Sequence, residues 1–121
     1  MSASQGDGVV HLIAELSGIT PALLHDAPLL GGLLIAAAGA AGLRASSPPL
    51  LRCHALRGVD ALLLFDGGHV TLHAEAHRRT LLLDVLAPEP VELSRALDVF
   101  TRRLAPLAIN AERLIRLAAS V

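Results

Sequence analysis

A chain of 121 residues is the length of one ordinary domain, and 53% hydrophobic against 17% charged content excludes disorder and favours extensive burial or self-association. Ten basic against eleven acidic residues give a formal charge of −1, and the only aromatic rings besides histidine are Phe65 and Phe100, so neither a phosphate-binding surface nor a base-stacking platform is present and no nucleic-acid partner is expected. All ten basic residues are Arg, which removes a lysine Schiff base and a P-loop lysine, and the single Cys53 excludes an internal disulfide or a cysteine-rich zinc site.

Met1 to Val10 lacks the charged start and apolar run of a signal peptide, and residues 1–8 are expected to be a flexible N-terminus ahead of one domain over 9–121. The longest apolar stretch, Pro28 to Gly42, is broken by Gly31, Gly32 and Gly39 and is shorter than the ~20 residues that span a bilayer. A cytoplasmic protein without a membrane partner is the expectation, with Cys53 as an inert packed thiol.

Val9 to Leu16 begins with β-branched residues and ends at Ser17-Gly18, which predicts a first strand. Ile19 to Asp26 reads as a connection or a short helical turn. The Leu and Ala content of Ala27 to Ala41 predicts a largely buried helix stopped at Gly39 or Gly42, its glycines allowing close approach to a sheet. After Ser46-Ser47-Pro48-Pro49, Leu50 to Leu56 reads as an edge strand. Asp60 to Asp66, His69 to His77 and Thr80 to Ala87 form an antiparallel meander, with Asp66-Gly67-Gly68 as a tight hairpin turn. Val91 to Ala105 carries Leu93, Ala96, Leu97, Phe100 and Leu104 on one stripe, an amphipathic helix. Leu107 to Leu117 fits either a last strand or a short helix. This order predicts an α+β two-layer sandwich, an antiparallel sheet with two helices on one face. A second copy of the chain would cover the other face, giving a homodimer.

The chemically distinctive segment is His69, Thr71, His73, Glu75 and His77, which alternate and so project from one face of a strand. Three readings stay open: a polar face, a ligand-binding surface, or a cation held by His73, Glu75 and His77. Neighbours two apart along a strand are ~6.6–6.8 Å apart, so the last requires a bend or help from another strand or subunit. Arg78-Arg79 reads as a solvated turn or a clamp for a carboxylate or phosphate. Glu15 and Asp84 lie in apolar strands and call for an Arg or backbone-amide partner.

Several strings, in order, resemble the small bacterial and archaeal class of S-adenosylmethionine decarboxylase, a pyruvoyl enzyme of spermidine synthesis. They are His11-Leu12-Ile13-Ala14-Glu15-Leu16, Gly58-Val59 before an apolar strand, His69-Val70-Thr71-Leu72-His73, Leu81-Leu82-Leu83-Asp84-Val85 and Ala96-Leu97-Asp98-Val99-Phe100, spread over about Gly8 to Leu117. In the family, a Glu-Ser bond before the His-x-Thr-x-His segment undergoes self-cleavage and the serine becomes the pyruvoyl group. The resemblance places Gly67-Gly68 at that bond, and glycine has neither the hydroxyl that attacks the preceding carbonyl nor the atoms that become the ketone. It further implies that His73 keeps the processing histidine, that Asp60 stands at a processing serine, and that Pro88 stands at the proton-donating cysteine. Glu75-Ala76-His77 replaces Trp-Pro-Glu, and His54, or Ala55 under a shifted alignment, falls near an adenine-stacking aromatic. The expectation is therefore a member without a pyruvoyl group or decarboxylase activity, binding a S-adenosylmethionine-like molecule through His54, His69, His73, Glu75 and His77, or pairing with an active paralogue. The alternatives are a repurposed enzyme using the His69, His73, Glu75 and His77 face, and a residual decarboxylase.

Overall fold

The computed structural model describes residues 8–117. Of the expected flexible N-terminus, residues 1–7 lie outside the described residues; Gly8 is buried, and its carbonyl accepts from Glu89 N at 3.0 Å. Six strands form one antiparallel sheet: β1 (Val9–Ser17), β2 (Leu50–His54), β3 (Gly58–Phe65), β4 (Gly68–Glu75), β5 (Thr80–Pro88) and β6 (Ala108–Arg116), in the order β2-β3-β4-β5-β1-β6. The helices are a single turn, α1 (Pro21–Leu24), and the longer α2 (Ala27–Ala40) and α3 (Leu93–Leu104). The architecture is the α+β arrangement expected, with α1 added to the two helices and Leu107 to Leu117 resolved in favour of a strand.

Alternation along the strands sorts the sheet into two faces. Val10, Leu12, Ala14 and Leu16 of β1, Val70, Leu72 and Ala74 of β4, and Leu81, Leu83, Val85 and Ala87 of β5 are buried beneath the helices. Leu30, Leu34 and Ala37 of α2 and Leu93, Ala96, Phe100 and Leu104 of α3 complete that core. Asp26 caps α2 by accepting from Leu29 N at 3.0 Å, and Gly42 at φ +79° ends it by letting Leu43 N reach Ala38 O at 2.8 Å. Of the helix's glycines only Gly31 faces the sheet, where a Cβ would meet Leu51 Cδ1 at 3.2 Å, while Gly32 and Gly39 face open space.

Among the described residues the opposite face carries no helix. Register places Arg52, Asp60, His73, Leu82, Glu15 and Asn110 across it in one row, and Leu62, Thr71, Asp84, Ile13 and Glu112 in the next. Ile13, Leu64 and Leu82 are exposed on it. Cys53, expected to be packed, is exposed instead because β2 is an edge strand.

Candidate functional site on the open sheet face

The polar side chains of β4 meet those of its neighbours because antiparallel register sets them side by side. Asp60 on β3 is directly opposite His73 on β4, and His73 Nδ1 lies 3.0 Å from Asp60 Oδ1. Arg57 Nη2 approaches the other oxygen, Asp60 Oδ2, at 3.6 Å. The carboxylate thus orients the imidazole through one nitrogen, on a ring that is 59% exposed. Depressions of about 410 Å³ and 450 Å³ lie on either side, and both are lined by Thr71 and His73.

A second cluster joins three strands. Asp84 Oδ1 on β5 accepts from His11 Nε2 on β1 at 2.8 Å and from His69 Nε2 on β4 at 3.2 Å. His11 Nδ1 is buried and has no hydrogen-bond partner among the described residues. The Asp84 side chain is 39% exposed and that of His11 13%. The partner of Asp84 is therefore a pair of imidazoles rather than the Arg or backbone amide expected, and Glu15 is exposed and needs none.

At the β3–β4 hairpin, Gly67 takes φ +81°, the left-handed value that a tight turn requires. Gly68 does not; it is the first residue of β4, and the constraint on it is space. An ideal Cβ there would fall 2.7 Å from Phe65 Cε1 and nearer still to the Leu86 carbonyl oxygen. Pro88 packs on the same turn, its ring Cγ 2.9 Å from where a Cβ on Gly67 would stand.

The structure thus brings Asp60 to His73, and Pro88 to Gly67, and sets His69 on the same face. It does not bring His77 into the row. β4 ends at Glu75, and Ala76–Arg78 form a 3-10 turn, because the chain must reverse into β5; His77 Nε2 remains 3.9 Å from Glu75 Oε1. Among the described residues of one copy of the chain no three His, Cys, Asp or Glu side chains are arranged to share a metal ion, so His73, Glu75 and His77 do not make a cation site by themselves. His54 is engaged locally: its Nδ1 accepts from Leu56 N at 3.2 Å and Arg57 N at 3.1 Å, closing the β2–β3 turn. Arg79 is tied down rather than a free clamp, with Nε donating to Ile19 O at 3.3 Å. His11 and Arg57 were missed as site residues. Their signal was a polar residue inside or beside an apolar strand, but naming their partners needs the register.

A family model described as S-adenosylmethionine decarboxylase matches residues 10–117. The chain belongs to the S-adenosylmethionine decarboxylase family. Among solved structures it is similar to the adenosylmethionine decarboxylase of Aquifex aeolicus VF5, with a TM-score of 0.79 at 21% identity over 95% of this chain and 93% of that one. That likeness establishes a shared fold. No curated protein sequence matches the chain. Among the described residues no helix is long and apolar enough to cross a membrane.

Proposed function

We propose that this chain is a non-decarboxylating member of the S-adenosylmethionine decarboxylase family that binds an adenosyl-type small molecule on its open sheet face, as a homodimer. The observation that carries the reading is the environment of Gly68. A serine is required there to cleave the backbone and yield a pyruvoyl group, and Gly68 lacks the hydroxyl while the Leu86 carbonyl and the Phe65 ring fill the space of its Cβ. The residues do not fit the prosthetic group. The neighbouring positions support this: Asp60 holds His73 by a short contact where the family resemblance calls for a serine, and Pro88 offers no transferable proton where it calls for a cysteine.

The open face supports binding by its two depressions, its mixture of Leu62 and Leu82 with hydrogen-bonding Thr71 and His73, and the lack of a covering element among the described residues. A second copy lying on this face would turn the depressions into enclosed sites; an active relative of the family is the other chain that the same face would accept. A second reading rests on the Asp60–His73 pair. A carboxylate holding one imidazole nitrogen while the other is free is the arrangement of a general base, so this face could act on a bound adenosyl substrate by proton transfer.

Mass spectrometry of the purified chain, denatured and native, with and without S-adenosylmethionine, tests the proposal. A full-length unmodified chain, at least twice its mass in the native spectrum and retaining the intact nucleoside, is the expected result. Two fragments, one with the mass of a pyruvoyl-terminated peptide, would overturn it, and conversion of the nucleoside by an uncleaved chain would favour the general-base reading.

A further inference from the structure

The two edges of the sheet are built differently. β2 is five residues long, follows Pro48-Pro49, and so presents a short edge that cannot extend. β6 is nine residues long, contains no proline, and pairs with β1 without interruption from Ala108↔Ser17 to Arg116↔Val9. All nine of its residues are exposed, on both faces. Ile109, Leu114 and Ile115 within it and Leu107 and Leu117 at its ends are exposed, a concentration of large apolar side chains on an edge that no described residue pairs with. Alternate residues of β6 direct their N–H and C=O groups away from β1, and a long apolar edge of this kind is a template for another strand.

We infer that β6 pairs antiparallel with β6 of a second copy of this chain, about a two-fold axis through Leu114, and so extends the sheet across two molecules. Side-chain chemistry selects both the partner and the register. An axis through Glu112 would set Glu112 against Glu112, and one through Arg113 would set Arg113 against Arg113, each placing like charges directly opposite. An axis through Ala111 pairs Asn110 with Glu112 and Ile109 with Arg113 and gains no ion pair. The axis through Leu114 sets Leu114 against Leu114 and pairs Glu112 with Arg116 twice, all on the open-face side of the sheet. On the other side it places the two Ile115 side chains as diagonal neighbours, within reach of each other. The charges of β6 therefore complement a second β6 in one register and oppose it in two others. This pairing does not depend on what the open face binds.

Inverting one charge at a time tests it on the full-length chain by sedimentation velocity at micromolar concentration and low salt. Glu112→Arg alone, or Arg116→Glu alone, places like charges opposite at both pairs and is expected to raise the dissociation constant roughly tenfold or more, halving the mass of the assembly. The two single variants mixed in equal amounts recover complementary pairs across the axis, as does the E112R/R116E double variant, and both are expected to return to the original mass. Both side chains are exposed, so folding, checked by circular dichroism, is unaffected. Single variants with the mass of the unaltered chain, or a mixture that fails to regain it, would overturn the pairing.

Discussion

Gly68 shows how a single side-chain position can be closed by its surroundings rather than by its own backbone angles. Because its φ is not positive, a larger residue is excluded only by the Leu86 carbonyl and the Phe65 ring. Gly68→Ser is expected to destabilise the fold by about 1–3 kcal/mol, as overpacking does, and to yield one band on a denaturing gel. The denaturant midpoint reads the first effect and the gel the second; two bands would mean that the strands part readily and that Asp60 and Pro88 are no obstacle to cleavage. Asp84 is the converse case, a polar residue that others depend on. Asp84→Ala removes the acceptor of both His11 and His69, and because His11 is nearly buried the expected loss is about 1–3 kcal/mol in a denaturation curve. His11→Ala in the same background should then add little, since the two changes break one cluster.

At the scale of elements, α2 separates the roles of its glycines. Gly32 and Gly39 face open space inside a helix, so Gly32→Ala is expected to raise stability by about 0.5–1 kcal/mol through helix propensity alone. At Gly31 a methyl group would meet Leu51 Cδ1 at 3.2 Å, which offsets the same gain, and Gly31→Ala should be near neutral; thermal melts of the two variants side by side check the contrast. The strands and α3 were legible in the sequence because each has one buried side, so that Leu93, Ala96, Phe100 and Leu104, or Val70, Leu72 and Ala74, repeat with the period of their element. β6 was not, since neither of its faces is covered and its apolar residues follow no single period. The candidate site was legible in part. His69 and His73 share a face by alternation alone, but the cluster of His11 with Asp84 joins residues 73 apart and depends on the β1–β5 register. His77 was misplaced because nothing in Glu75-Ala76-His77 marks the end of a strand.

For the whole molecule, the uncovered face is the dominant feature. Leu82 lies near its middle, between His73 and Glu15 in the same row, with Ile13 exposed in the next row. If a second copy covers this face, Leu82→Arg will put a charge into the contact, and in the E112R background, where edge pairing is suppressed, the chain is expected to change from dimer to monomer in sedimentation velocity. An unchanged mass would leave the open face to a different occupant.

The strand order has a consequence for any break in the chain at the β3–β4 hairpin. The piece before it would carry β1, β2 and β3, and the piece after it β4, β5 and β6, yet β1 lies between β5 and β6 while β3 lies against β4. Each half is hydrogen-bonded into the other at three seams, and the core is drawn from both. A molecule severed at Gly67-Gly68 would therefore hold its shape and travel as one body in any measurement made on the folded state. Only unfolding would reveal the cut, and neither half would be expected to stand as a folded domain without its counterpart.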